Sequence, residues 1–293
     1  QNCNLMAKIS EEEIQKILPV KGPSFEEVKN YLEKYNDEYI VIKCGGSVLV
    51  DQDLFNNFIS DISILNKLGF IPVIIHGGGK RISSKLDEVG IKSNFINGLR
   101  ITDEKSIKIV EEVLNNFNRE ITTALKNNNC DSQGITNNQN NILLVEQENE
   151  KLGYVGYPKE INQSIIEKIV NKKKVPVIAP LGLDKNNQVF NINADTAAGA
   201  IAKKLNAKRL IIISDIEGVL DNEKKLISEI NTIKINELIQ NQTIFGGMIP
   251  KINNCLDVAS NGVKGVVIID GRKNHSILFE LLSEKGSGTL IRK

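Results

Sequence analysis

No uninterrupted apolar run in the 293-residue chain approaches the ~18–20 residues that a membrane-spanning helix requires. The sequence therefore reads as that of a soluble protein without a membrane partner. Cysteine is scarce: Cys3, Cys44, Cys130 and Cys255 lie far apart with no CxxC pair. That spacing argues against a zinc knuckle or a disulfide framework and fits a reducing compartment. Charge of one sign is missing too, because 37 Lys and Arg against 36 Asp and Glu leave a net charge of +1. A nucleic-acid platform needs a strong basic field, so that class is set aside, while a local basic pocket stays open. No internal repeat of fixed period occurs. Residues 1–10 hold neither a hydrophobic signal core nor an Arg-rich transit pattern, and the start at Gln1 rather than Met reads as trimming or processing.

What is present is an ordinary globular composition, 41% hydrophobic and 25% charged. The length allows one large α/β domain or two joined ones, since cores split beyond roughly 250–300 residues. Glu11–Leu18 and Ser24–Lys34 read as short amphipathic helices, an arm ahead of the core. The second opens on a capping pattern, with Glu27 at the third helical position, and Phe25, Val28, Leu32 and Tyr35 form its apolar stripe. Tyr39–Cys44 reads as a buried strand that runs into Gly45-Gly46. Lys43 is its odd member, because a lysine at the end of an apolar strand is costly unless it points into a polar pocket or meets an anion.

A helix over Asp51–Leu68, a strand over Ile71–Ile75, the glycine turn Gly77–Gly79 and a helix from about Arg81 to Val89 repeat the design. Two such units in succession point to an α/β sheet whose strand ends face one crevice, where ligands collect. Neither loop fits GxGxxG or GxxxxGK[ST], so a dinucleotide fold and a Walker loop lack support. Arg100 follows the turn at Gly98, ahead of a helix over Glu104–Phe117, and arginine can grip a carboxylate with a two-pronged hydrogen bond. Asn127–Asn141 reads as an Asn-rich loop. Strands are expected at Ile142–Glu146, Gly153–Gly156, Pro176–Ala179, Arg209–Ser214, Val263–Ile269 and Gly286–Ile291. Further helices are expected at Ile161–Asn171, from Lys251 through Val258, and at His275–Leu282.

The stretch Asn191–Leu205 places two Asn and an Asp ahead of an Ala-rich helix. Asn193 or Asp195 can cap its first turn, and Ala197, Ala198, Gly199, Ala200 and Ala202 let it approach another backbone closely. Glycine loops and helix N-termini at strand ends form an anion cradle, for which a nucleotide is the natural occupant. Lys43 and Lys251 can offset charge on a transferring phosphoryl group, and Asp195 is the acidic candidate to hold both.

Six segments in order carry a more specific likeness: Lys43–Gly46, His76–Gly79, Gly98–Asp103, Asn191–Asp195, Ser214–Val219 and Gly246–Lys251. From about Glu38 to Ile291 the chain resembles the amino acid kinase family, and Gly98–Asp103 with Asn191–Asp195 point within it to the branch acting on N-acetyl-L-glutamate. The resemblance implies a three-layer αβα sandwich around a central, mainly parallel sheet. It divides the chain into an arm (1–36), an amino-acid lobe (37–205) and an ATP lobe (206–293). It assigns Lys43 and Lys251 to the phosphoryl group in transit and Asp195 to organising them. Gly78, Gly79, Arg100 and Asn191 fall to the substrate, and Gly45, Gly46, Ser214, Asp215, Gly218, Val219, Gly247 and Met248 to the nucleotide.

The implied reaction is ATP-dependent phosphorylation of the γ-carboxylate of N-acetyl-L-glutamate in arginine biosynthesis, with Mg²⁺ carried on the ATP phosphates and no protein metal site. The alternatives are a sibling kinase for another amino-blocked acidic amino acid, or a non-catalytic arginine or nucleotide sensor. Tyr31, Glu280, Gly286 and Gly288 resemble the arginine-sensing elements of inhibited members, whose N-terminal helix joins dimers into a hexamer, whereas Val267 stands where some of those members have His. The resemblance also implies a homo-oligomer, a PII-type regulator as partner, and the cytoplasm or the plastid stroma as location. His76 and His275 are expected to be structural or surface residues, and Cys44 to be packed. The stretch Gly134–Asn140 departs from the family pattern.

Overall fold

The computed structural model describes residues 9–293; Cys3 and the first residues of the expected arm lie outside them. Helices α1 (Glu11–Ile17) and α2 (Phe25–Tyr35) precede β1 (Tyr39–Cys44), α3 (Gln52–Lys67), β2 (Ile71–His76) and α4 (Gly79–Glu88). A hairpin of β3 (Phe95–Ile96) and β4 (Leu99–Arg100) leads into α5 (Glu104–Asn127) and β5 (Ser132–Ile135). There follow β6 (Leu143–Gln147), β7 (Val155–Ile161), α6 (Gln163–Asn171), β8 (Val175–Ile178), β9 (Leu181–Leu183), β10 (Val189–Ile192) and α7 (Ala194–Leu205). The chain continues through β11 (Arg209–Ser214), β12 (Glu229–Ile230), α8 (Thr232–Gln240), α9 (Met248–Ser260), β13 (Val266–Asp270), α10 (Ser276–Leu282) and β14 (Gly288–Ile291).

Eight strands form the main sheet in the order β12-β14-β13-β11-β1-β2-β8-β5. Every neighbouring pair is parallel except β13 with β14. Its layers follow from the two-residue period of a strand, which sends alternate side chains to opposite faces. Ile40, Ile42, Ile74, Ile211, Ile213, Val267 and Ile269 join one apolar cluster, with α2, α3 and α10. Val41, Val73, Ile75, Leu210, Ile212, Val266 and Ile268 join the other, with α6, α7, α8 and α9. The strands are thus covered on both sides, which is why they read as continuous apolar runs. Each Ile or Val so buried contributes roughly 1.5–3 kcal/mol. A second, small sheet of β10, β7, β6 and β9 closes on itself.

The arm follows the sequence reading: Ser10 with Glu13 and Ser24 with Glu27 form reciprocal capping boxes. Helix α5 continues to Asn127 instead of stopping at Phe117, because Ile121 and Leu125 extend the buried stripe at four-residue spacing. The Asn-rich segment expected as loop contains β5, which pairs with β8 at the sheet edge. There Gly134 lets α5 come close, since an added Cβ would lie 2.4 Å from Asn118 Oδ1. The short strands β3, β4, β9, β10 and β12 carry too few residues for a pattern, and Asn191 belongs to β10 rather than to the helix start. Among the described residues no helix is long and apolar enough to cross a membrane.

Candidate active site

Lys43 falls on the face of Val41, the side on which α7 packs against β1. Asn193 caps α7, its Oδ1 accepting from Thr196 N at 3.0 Å. That frees the carboxylate of Asp195, in the same first turn, to face the lysines. Lys43 Nζ stands 3.1 Å from Asp195 Oδ1. From the first turn of α9, Lys251 Nζ donates to Oδ2 at 3.2 Å. The Lys43 contact is an ion pair outside hydrogen-bond alignment, so Oδ1 itself accepts no hydrogen bond. Burial pushes the Asp195 carboxyl up, but Lys43 and Lys251 outweigh it and hold the group below the usual carboxylate range. Two ammonium groups sharing one carboxylate leave a net positive charge beside the strand ends.

The surrounding backbone is shaped for an anion. A Cβ on Gly45 would stand 2.3 Å from Lys43 Nζ, and one on Gly46 2.6 Å from Asp215 Oδ1; Gly46 also adopts φ +66°, where side chains are strained. Helix α4 starts on Gly78, α9 on Gly247 and the short 3₁₀ turn Gly46–Leu49 on Gly45, and none of these starts has a side-chain cap. Ser10, Ser24, Asp51, Asp103, Asn193 and Asn231 do cap α1, α2, α3, α5, α7 and α8, while α6 and α10, away from the cleft, also start without a side-chain cap. A Cβ on Gly79 or Gly247 would meet nothing within 4 Å. Free N–H groups and the positive helix ends therefore open on accessible space.

Lys43, Gly45, Gly46, Gly78, Gly79, Arg100 and Asn191 line one cleft of about 300 Å³. Arg100 is buried and preset: its Nη2 donates to Gly79 O and Ser83 Oγ, each at 3.0 Å, and Nη1 to Ser93 Oγ at 2.8 Å. Its guanidinium also lies 4.7 Å from the Phe95 ring centroid. Asn191 is the next-to-last residue of β10, where its N–H donates to Tyr154 O. Ser214, Asp215, Gly218, Val219, Gly247 and Met248 stand outside this lining. Asp215 accepts from Ser47 N at 2.8 Å and from Ser47 Oγ at 2.9 Å. Gly218 and Val219 pack against β14, the Val219 N–H donating to Thr289 Oγ1.

Away from the cleft, Glu280 Oε2 accepts from Gly288 N at 3.1 Å and from Ser287 N, while Gly286 turns around the same carboxylate at φ +66°. Helix α2, which carries Tyr31, packs on α10, which carries Glu280. Val267 is buried in β13. His76 is fully buried, with Nδ1 against Gly77 O and Nε2 against Asn118 Nδ2; burial lowers its pKa to about 4 and leaves it neutral. Burial raises the Cys44 thiol to about 12, a packed and unreactive group. Two polar residues at the strand ends escaped the sequence reading, Ser47 and Lys80. Lys80 directly follows the glycine turn and donates to Asp215 Oδ2 at 3.3 Å, and its place after Gly79 was the available signal.

A model described as the amino acid kinase family matches residues 38–270. The acetylglutamate kinase of Pelagibacter ubique (strain HTCC1062) is 67% identical over 288 residues, covering 98% of this chain and 100% of that protein. That of Campylobacter fetus subsp. fetus (strain 82-40) is 44% identical, covering 89% and 94%. Among solved structures, N-acetylglutamate synthase from Neisseria gonorrhoeae complexed with coenzyme A and N-acetyl-glutamate superimposes with a TM-score of 0.83 at 22% identity, over 92% of this chain. The chain spans 62% of that synthase. Carbamate kinase from Giardia lamblia bound to AMP-PNP gives a TM-score of 0.64 at 17% identity, over 88% of this chain and 99% of that one. These two structures share the αβα sandwich with its central, mainly parallel sheet.

Proposed function

The chain belongs to the amino acid kinase family, and on that premise we propose how its cleft works as an enzyme. It is a phosphotransferase that uses ATP to phosphorylate the γ-carboxylate of N-acetyl-L-glutamate, yielding N-acetylglutamyl 5-phosphate and ADP in arginine biosynthesis. Relatives at 67% and 44% identity bear that activity in their names. The observation that carries the reading is the Lys43–Asp195–Lys251 cluster, set among uncapped glycine starts and next to Arg100 and Asn191.

The acceptor carboxylate, with an ordinary pKa of about 4.3, is already ionised near neutral pH. One of its oxygens forms the new bond to the γ-phosphorus while the bond from that phosphorus to the bridging oxygen of ADP breaks, and ADP leaves with the electron pair. No proton moves, so no general base is needed, in keeping with a neutral, buried His76. The work left to the protein is bringing two anions into line and spreading the charge of a loose transition state. Arg100 and Asn191 hold the acetylglutamate, together with Gly78 and Gly79. Lys43 and Lys251 donate to the oxygens of the phosphoryl group in transit, and Asp195 keeps both ammonium groups aimed. Gly45, Gly46, Ser214, Asp215, Gly218, Val219, Gly247 and Met248 surround the nucleotide.

Mg²⁺ supplies neutralisation of the phosphate charge when bound. The donor chemistry fits an ion carried mainly on the nucleotide, because both Asp195 oxygens face lysines. Residues 37–205 serve as the amino-acid lobe and 206–293 as the ATP lobe. The arm and the Glu280 turn, with Tyr31, Gly286 and Gly288, form an arginine-inhibition site in a dimeric or hexameric enzyme of the cytoplasm. The helix packing of α2 on α10 supports that reading. The test is ADP release with a panel of acidic amino acids and their amino-blocked forms, with and without arginine, beside a mass measurement of the assembly. ADP formation with another acid and none with N-acetyl-L-glutamate would overturn the substrate assignment.

A further inference from the structure

Lys80 lies in the first turn of α4 and lines the same cleft as Lys43 and Arg100. Through Asp215 it belongs to a second charged cluster, which ties the end of β11 to Ser47 and to the start of α4. The glycine loop separates this cluster from the first: Gly45 abuts the Lys43 ammonium, and the next residue, Gly46, abuts the Asp215 carboxylate.

The two clusters hold their cations differently. The Lys43 and Lys251 side chains are 13% and 21% exposed and share a carboxylate between them. Lys80 is 52% exposed, and a half-exposed ion pair contributes little and exchanges readily. Asp215 does not depend on it. When Lys80 leaves, the carboxylate keeps both hydrogen bonds from Ser47, so departure strands no buried charge. Lys80 also stands beside the uncapped N-terminus of α4, where an anion meets backbone donors and the positive helix end.

We propose that Lys80 is a phosphate-contacting lysine, whose ammonium passes from Asp215 to the polyphosphate of the bound nucleotide while Asp215 stays on Ser47 and fixes the glycine loop. A polyphosphate brings several charged oxygens against the single carboxylate it replaces, so the exchange favours the nucleotide. The inference rests on the kinase reading of the cleft.

Calorimetric titration of the full chain with MgATP, MgADP and AMP, without acceptor, tests it separately from the acceptor assignment. Loss of one charge-assisted contact predicts that K80M weakens ATP binding about 10-fold or more and AMP binding by no more than about 2-fold. K80R stays within about 3-fold of the wild type for ATP, since the cation is retained. Equal weakening of ATP and AMP would overturn the proposal, marking Lys80 as a clasp for the fold. ATP affinity unchanged in K80M would overturn it as well. A wild-type chain that binds no nucleotide would overturn both this proposal and the kinase reading. Nucleotide binding with the expected Lys80 pattern would uphold the proposal, whichever acid the ADP-release panel identifies as acceptor.

Discussion

Replacing Asp195 by Asn keeps the size of the side chain and removes the charge that Lys43 and Lys251 share. At the observed separations of 3.1 and 3.2 Å, an effective dielectric of about 20 gives roughly 5 kcal/mol of attraction per pair, before the desolvation of each ion is set against it. Without the carboxylate the two ammonium groups repel each other, and one turns away from the phosphoryl path. Losing one preorganised donor costs about 10²–10³ in rate, so D195N is expected to lower kcat by about that factor. KM for N-acetyl-L-glutamate changes little, because Arg100 and Asn191 are untouched. Trapping the acyl phosphate with hydroxylamine as its hydroxamate reads the rate directly. The pH profile separates organiser from base. A depressed carboxyl contributes stability that is present above its ordinary value, about 3.9, and is lost as pH falls below it through the folded value. Asp195 is therefore ionised across the neutral range and adds no limb there. A D195N rate within about threefold of wild type, or a limb near neutrality that D195N abolishes, would refute the reasoning.

Lys43→Ala and Lys251→Ala each lower kcat about 10²-fold or more by removing a donor to the transferring group, with near-wild-type thermal unfolding; full activity in either would contradict the mechanism. On the proposed arginine site, Tyr31→Ala and Glu280→Gln are expected to remove any inhibition by arginine and leave the uninhibited kcat in place, a result read from arginine titrations at fixed substrate; a wild type insensitive to arginine would refute the site. The pair His275–Asp61, 2.7 Å apart, ties α10 to α3. Its hydrogen bond to Asp61 raises His275, and burial raises Asp61. The raised histidine contributes stability that is full below its ordinary value of about 6.5 and is lost as pH rises through its higher folded value, whereas the raised Asp61 loses its contribution at lower pH, from its ordinary value of about 3.9 upward. Thermal unfolding temperature therefore falls by a few degrees from about pH 6 to about pH 9 in the wild type and stays flatter in H275Q.

The parts of the fold that were legible in the sequence are those with a long period. Tyr39–Cys44, Ile71–His76, Arg209–Ser214 and Val266–Asp270 bury nearly every side chain, and the glycines that end the first two announce themselves. Strand β5 was hidden because Ser132-Gln133-Gly134-Ile135 has no apolar alternation and owes its place to pairing with β8. The same limit applies to the site. Lys43 was visible as a cation where an apolar residue belonged, and Asp195 as one of two residues able to cap α7. Which of the two caps and which faces the lysines depends on Thr196 N meeting Asn193. Lys80 had only its place after Gly79 to mark it, and the tie that joins it and Ser47 to Asp215, 135 and 168 residues away in the chain, crosses a separation that no local pattern spans.

The charge of the central cluster itself argues for a transient anionic partner. A buried ion pair or triad can often be replaced by apolar residues at no cost, or with a gain of about 1–4 kcal/mol. Lys43, Asp195 and Lys251 form a triad with one cation in excess. Three helical starts nearby have no side-chain cap, although capping contributes about 1 kcal/mol at each. Stability alone selects against both features at once. Each is offset when a polyphosphate and a carboxylate enter together, because their negative charge meets the surplus lysine and the free N–H groups. The site is thus least satisfied before substrates bind and most satisfied as the phosphoryl group passes between two anions, the ordering that lowers a barrier rather than deepening a binding well.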